Sequence, residues 1–375
     1  MKVLHCPEIV GGNSQQLAKA ERELGVESKS IVFKQTYYLY SADEVLLSQN
    51  AGRLRLEFSR WKLLFKAFFF DVIHYNFGQS IMPMGIHFRD ERIANYPLAI
   101  RFFIHCYTHA LEMFDVRLLK FFNKKIVVTF QGDDIRQGDY CRNNFEITFA
   151  THVSQNYYTH RSDLIKRRKV AKFNKFADRV YSLNPDLLYL LDSSAKFLPY
   201  SHISLDEWRI SAATSNKIPV VLHAPSNREV KGTQFLLDAV KNLKKKGLEF
   251  EFILIEGMSN AEAREHYERA DILVDQLLAG WYGGLAVELM ALGKPVISYI
   301  RDQDLAFIPQ EMRCELPIIN ANPTNIEDIL GSWIANQKAA LIERGLQSRA
   351  YVEKWHDPRK IAKEVCRDGY GAILK

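Results

Sequence analysis

Glu288 is the residue with the most chemistry to explain. It is the sole polar side chain in an apolar stretch that predicts a helix of roughly ten residues from Gly284 onward. Three and four residues either way lie Gly284, Leu285, Ala291 and Leu292, so no face of that helix is solvated. A carboxylate in such company is costly unless something hydrogen-bonds it. Just upstream, the short apolar strand Ile272–Val274 passes into a turn holding Gly280, Gly283 and Gly284. Such a turn leaves the backbone N–H groups around Gly283, Gly284 and Leu285 at a helix N-terminus, where a phosphate is stabilised. An anion seat and a buried acceptor one helical turn apart fit a nucleotide diphosphate with its ribose diol. The plainer alternative is a core helix whose Glu pairs with a buried Arg or Lys.

Two other loops carry reactive side chains. Asn227–Thr233 joins a strand to a helix and holds Arg228 and Lys231. An Arg fork and a Lys point charge at the carboxyl end of a parallel strand suit a pyrophosphate, although a solvated basic loop has the same composition. In the first half, VVTFQGDDIR ends a strand and turns at Gly132, with Gln131, Asp133 and Asp134 beside it. Adjacent carboxylates point in different directions, and without a third ligand nearby no metal is expected there. The loop Gly11–Gly12–Asn13 lacks the G-x-G-x-x-G spacing of a dinucleotide fingerprint. His5, His74 and Asn76 end buried strands and are expected to be core or cleft polar groups.

The elements that position these residues alternate between strand and helix. Strands are expected at Lys2–Cys6, Ser30–Phe33, Val72–Tyr75, Ile126–Phe130, Arg179–Ser182 and Lys196–Leu198, with helices at 14–24, 57–70, 97–122, 162–177 and 185–191. Residues 199–217 lose the periodicity and predict a crossing between domains. The alternation restarts at Pro219–His223, continues through a helix at 233–246 and strands at Phe250–Ile255, Ile272–Val274 and Val296–Tyr299, and ends in a helical tail at 324–373. This order predicts doubly wound parallel sheets.

Composition sets the outer bounds. The 375 residues are long for one core and comfortable for two domains. Five scattered cysteines, without a C-x-x-C, argue against a disulfide framework or a zinc site and suit a reducing cytoplasm. The N-terminus lacks the pattern of a signal peptide, and no apolar run reaches membrane-spanning length. The net charge of +6 favours acidic partners without choosing among nucleotide, anionic lipid and nucleic acid. Arg53–Phe70 and Arg161–Lys175 mix cations with apolar residues and suit either an anionic membrane surface or a packed helix with a cationic outer face. No RNP, KH or zinc-finger pattern supports nucleic-acid binding.

GWYGGLAVELMALGKPVI resembles the nucleotide-sugar motif of family-four (group 1, retaining) glycosyltransferases. The resemblance extends in order over the terminal strand and turn, QGDDIR, ADRVYSLNPDLL, NREVKGT and Ala270–Ile297. It implies a GT-B fold: two Rossmann-like domains facing across a cleft, spanning 1–200 and 201–355, with 356–375 crossing back to the first. By the same resemblance Glu288 binds the ribose hydroxyls. Arg228, Lys231, Gly283, Gly284 and Leu285 hold the donor, with Lys231 also catalytic. Gln131 and Asp134 reach the donor sugar, and Gly11, Gly12 and Asn13 line the acceptor side. The implied activity is metal-independent transfer, with retention, of a sugar from a nucleotide donor to a hydroxyl of a surface glycan or lipid-linked precursor. The nucleotide-sugar is a substrate, and no cofactor is expected. The cysteines point to a cytoplasmic setting, and the basic segments Arg53–Phe70 and Arg161–Lys175 to peripheral attachment at the inner face of the plasma membrane.

The chain departs from the family at three places. Gly280 stands where the family has its first Glu, and Gln131 stands where it has His. Arg228 and Lys231 are closer together than the family's Arg and Lys. A Gln can hydrogen-bond but cannot accept a proton near neutral pH. In the family the leaving diphosphate itself is thought to take the acceptor's proton, which leaves the protein to supply position and electrostatic stabilisation. Gly280 and Gln131 keep open a binding relative without transfer activity; a GT-B nucleotide-sugar 2-epimerase is the other alternative, which no paired acid/base carboxylates support.

Overall fold

The computed structural model describes residues 1–35, 42–210, 216–258, 260–335 and 338–372, so parts of the expected crossing and of the helical tail lie outside the described residues. The first sheet contains β1 (Lys2–Cys6), β2 (Glu27–Val32), β3 (Glu44–Val45), β4 (Val72–Asn76), β5 (Lys125–Phe130), β6 (Arg179–Ser182) and β7 (Lys196–Phe197). Its order is β3-β2-β1-β4-β5-β6-β7, parallel throughout. The second contains β8 (Val220–His223), β9 (Glu251–Leu254), β10 (Ile272–Val274), β11 (Val296–Ser298) and β12 (Ile319–Asn320), in the parallel order β12-β11-β10-β8-β9. β4, β8 and β10 are buried along their length, as strands covered on both faces must be. Strand order reverses at β1/β4 and at β8/β10. Ligands of such sheets bind outside the carboxyl ends at these reversals.

The expected helix at 97–122 is two helices, Leu98–Leu111 and Phe114–Phe121, because Met113 adopts a left-handed conformation (φ 57°) that ends the hydrogen-bond ladder. The helical tail is likewise divided into Ile326–Ala335, Lys338–Trp355 and Pro358–Glu364, with a π-helical turn at Val365–Gly369. The two-residue strands β3 and β12, and helices Gly138–Asn144 and Asn260–Arg269, are too short or too polar to be marked by periodicity.

The end of the chain crosses back to the first domain. Ile361, Ala362, Val365 and Cys366 share a core with Val3, Leu17 and Ala20. The Tyr370 hydroxyl donates to Glu21 Oε1 (2.8 Å) and accepts from His74 Nδ1 (2.7 Å), while Glu21 Oε2 meets His5 Nε2 (2.9 Å). His5 and His74 are therefore buried partners of this crossing, and burial pushes His74 well below the ordinary histidine range.

Candidate functional site

The carboxyl ends of β1, β5, β8 and β10 converge on a cleft of about 550 Å³ between the two sheets. Gly11 and Asn13 line its first-domain side after β1, and Gln131 lines it after β5. Gly11 (φ 61°) and Gly12 (φ 70°) make the left-handed turn that starts helix Asn13–Glu23. Gly12 is buried behind the wall. Asn13 Oδ1 accepts from the Ser201 N–H (2.9 Å), which ties this loop to the crossing segment.

Gln131 is held by its backbone. Its carbonyl accepts from Asn184 Nδ2 (2.5 Å), and its N–H donates to Asp134 Oδ2 (3.0 Å). Its side-chain Nε2 is buried without a hydrogen-bond partner. Asp134 is not part of the cleft lining. It is turned under the loop, where its carboxylate also accepts from the N–H groups of Gly132 (2.7 Å) and Ile135 (3.1 Å). Burial pushes Asp134 up despite Lys169 and those N–H donors. The expectation that Asp134 reaches a sugar directly is therefore corrected: it shapes the turn that presents Gln131. The neighbouring Asp133 points elsewhere, to the hydroxyls of Tyr157 and Tyr158. Among the described residues no group of three His, Cys, Asp or Glu side chains could hold a metal ion.

The second-domain wall is built by two loops clamped together. After β8, Asn227 Oδ1 caps the single turn Arg228–Lys231 by accepting from the N–H groups of Glu229 and Val230. Gly232 (φ 73°) then redirects the chain into helix Thr233–Lys245. Lys231 Nζ donates to Asp275 Oδ1 (2.8 Å) and Gln276 Oε1 (2.7 Å), while the Leu277 N–H donates to the Lys231 carbonyl (3.0 Å). Lys231 lines the cleft. Arg228 does not: it is half exposed and paired with the cleft residue Glu256.

Helix Gly284–Ala291 is eight residues long, with Gly284, Leu285 and Glu288 on the cleft. The Gly283 N–H donates to Asp275 Oδ2 (2.7 Å). This corrects its assignment as a free anion donor and leaves the first helical N–H groups, from Gly284 onward, for that role. Glu288 is 3% exposed, and its Oε1 lies 3.5 Å from Nε2 of the equally buried His202. Both ring nitrogens of His202 lack a hydrogen-bond partner. At Gly280 a Cβ would fall on the guanidinium of Arg301, which pairs with Asp304 (2.7 Å) and stacks over Phe145 at 3.7 Å. Arg301 thus fills the space where the family motif has its first Glu.

Sequence reasoning missed Asp275, Gln276, His202 and Tyr200. Asp275 had a visible signal, being the first charged residue after a buried strand. His202 and Tyr200 come from the crossing segment, where periodicity is silent. The Tyr200 hydroxyl donates to Asn184 Oδ1 (2.9 Å), and its carbonyl accepts from His356 Nδ1 (2.8 Å), so the crossing connects both walls. Burial pushes Tyr200 up and His356 down to about 3.

No protein-family model and no curated protein matches the sequence. The structure is similar to HepE of Anabaena, solved with UDP-glucose (TM-score 0.58, 14% identity, covering 99% of this chain and 100% of that one). It is similar to a sucrose-phosphate synthase from Thermosynechococcus elongatus (TM-score 0.56, 14% identity, 98% of each chain). It is also similar to a glycosyltransferase from Rickettsia africae (TM-score 0.55, 12% identity, 99% of each chain). Over its whole length the chain therefore has the two-sheet GT-B fold that these glycosyltransferases share.

Proposed function

We propose that the chain is a glycosyltransferase that takes a sugar from a nucleotide-sugar in this cleft. The observation that carries the reading is convergence. Lys231, the N-terminus of helix Gly284–Ala291 and the Glu288 carboxylate face one cavity, and the unpartnered Gln131 Nε2 lines the same space, with the His202 ring beside Glu288. Buried polar atoms without partners cost about 1–3 kcal/mol each, a cost that a polar ligand relieves. In this reading Lys231 and the helix N-terminus hold the diphosphate, Glu288 accepts from the ribose hydroxyls, and Gln131, held by Asn184 and Asp134, hydrogen-bonds the sugar. Gly11, Gly12 and Asn13 shape the acceptor side. Arg228 and Glu256 form the outer rim.

Transfer breaks the bond between the anomeric carbon and the diphosphate oxygen and forms one to the acceptor oxygen. The acceptor's proton goes to the departing diphosphate on the same face, which gives retention without a metal or a protein base. Lys231 and the helix dipole stabilise the negative charge that grows on the leaving group. The proposed acceptor is a surface glycan or its lipid-linked precursor, reached from the cytoplasmic side of a membrane. The working domain limits are 1–200 and 201–355, with 356–375 as the crossing tail.

A thermal-shift panel of nucleoside diphosphates and nucleotide-sugars tests this reading, because a ligand of the native state raises the melting temperature by mass action. A rise with at least one nucleoside diphosphate is expected. No shift with any of them, confirmed by calorimetry, contradicts the donor site. Binding without sugar release to any acceptor favours a non-transferring relative.

A further inference from the structure

Helix Arg53–Ala67 carries two apolar faces. Leu63, Leu64 and Ala67 pack into the core of the first domain. Leu54, Phe58, Trp61 and Phe65 fall on the opposite stripe at helical spacing and point to solvent, with Phe58 75% exposed and Phe65 67%. Alongside, helix Leu98–Leu111 has one buried residue, Thr108, and exposes Phe102 and Phe103. The two helices meet where the Tyr107 hydroxyl donates to Glu57 Oε2 (2.9 Å), and Trp61 meets Phe114 of the next helix, Phe114–Phe121, at 6.2 Å. An apolar ridge of this kind needs a partner.

We propose that this face docks on an anionic phospholipid bilayer. The proposal deepens the reading of a transferase working beside a membrane by naming the surface that touches it. Helix Arg53–Ala67 has five Arg or Lys residues against one carboxylate. Lys62 and Lys66 share Glu44 from β3 and Arg60 pairs with Glu57, while Arg53 and Arg55 are exposed beside the ridge together with the exposed, loosely paired Lys62 (3.9 Å). A cationic face repels a second copy of itself and attracts anionic headgroups. Protruding aromatic side chains ringed by cations suit the boundary between headgroups and acyl chains, where the rings are buried and the charges stay wet. No helix among the described residues is long and apolar enough to cross a membrane, so the contact is peripheral.

Helix His160–Phe176 has seven Arg or Lys residues, but three of its lysines are held by the protein. Lys166 donates to the Arg136 carbonyl (2.6 Å), Lys169 to the Asp134 carbonyl (3.1 Å), and Lys172 pairs with Glu112 (2.6 Å). Helix Arg53–Ala67 leads into β4 and runs against it, which sets its first turn toward the cleft end of the sheet.

Flotation with vesicles of phosphatidylcholine, alone or mixed with phosphatidylglycerol, tests the proposal. The wild-type protein is expected to float with the anionic vesicles at low salt and to be released as salt rises. F58S/F65S/F103S changes only exposed side chains and should lower the bound fraction at least about tenfold. R53Q/R55Q/K62Q should weaken binding to the anionic vesicles only, and the control R167Q/K172Q should bind as wild type does. Three results overturn the proposal: wild-type protein free of anionic vesicles at low salt, an aromatic variant that floats undiminished, or sedimentation showing a dimer that the aromatic variant dissolves. UDP affinity by calorimetry, unchanged across these variants, reports the donor site separately. If no nucleoside diphosphate of the panel binds, the transferase reading falls and the docking result still stands.

Discussion

The two walls of the cleft solve different problems. On the second-domain wall the charged groups already have protein partners: Lys231 with Asp275 and Gln276, Arg228 with Glu256, and Glu288 beside His202. On the first-domain wall Gln131 is fixed by its backbone while its Nε2 has no partner. A pre-paired wall is rigid before ligand arrives and suits the part of a donor that every catalytic cycle presents. An unpaired amide is completed only by the ligand. In this account the second wall is preorganised for the nucleotide, and the first finishes the site around the sugar.

Asp275 is the centre of the pre-paired wall, and removing it should have the largest effect. Asp275→Ala removes the counter-charge of Lys231, leaving it Gln276 alone, and frees the Gly283 N–H, so the protein should lose about 3–5 kcal/mol of stability. Chemical denaturation measures it. A loss below about 1 kcal/mol would mean that the clamp between the two loops is not structural. Lys231→Ala acts on the ligand as well, and should weaken nucleoside-diphosphate binding by about 1.5–3 kcal/mol in calorimetry. Wild-type affinity in that variant would remove Lys231 from the diphosphate site.

Two histidines behind the second wall set its acid limit. Burial lowers His223 to about 4 and His356 to about 3, below an ordinary value of 6.5. As pH falls, the unfolded chain takes up protons first, so this stability is full above about 6.5 and is lost as pH drops toward 4. Each neutral histidine should add a slope of up to about 1.4 kcal/mol per pH unit in that window. A stability curve flat from pH 6.5 to 4 would contradict the burial of both.

The smallest effect on stability belongs to the unpaired wall. Gln131→Met removes an unsatisfied buried amide and should leave stability unchanged or raise it by about 1 kcal/mol, while sugar transfer falls. If Gln131→Met instead destabilises the protein and leaves transfer untouched, the contrast between the walls is wrong.

Much of this was legible in the sequence because burial writes itself as pattern. β1, β6 and β10 fall where the apolar runs place them, and Glu288 stands out because its helix has no other polar residue. What could not be read depends on backbone torsion or on distant partners. The left-handed Met113 divides a continuous helical pattern without any glycine or proline at the break. Asp134 matches a motif by position, yet its backbone partners turn it beneath the loop. The turn glycines implied free N–H donors, but Asp275, eight residues upstream, takes the one at Gly283. His202 reaches Glu288 from a segment with no periodicity, and Arg301 occupies the space over Gly280.

Glu288 tests the central claim, that this buried carboxylate serves a ligand as well as its neighbour His202. Glu288→Gln keeps the shape and most of the hydrogen bonds of the side chain but removes its charge. Melting temperature without ligand and UDP affinity by calorimetry should be measured on the same preparation. The account predicts a melting temperature within about 2 °C of wild type and an affinity at least about tenfold weaker, since a hydrogen bond to a charged group is worth about 1.5–3 kcal/mol. A large fall in melting temperature with unchanged UDP affinity would make Glu288 a structural residue and contradict the account.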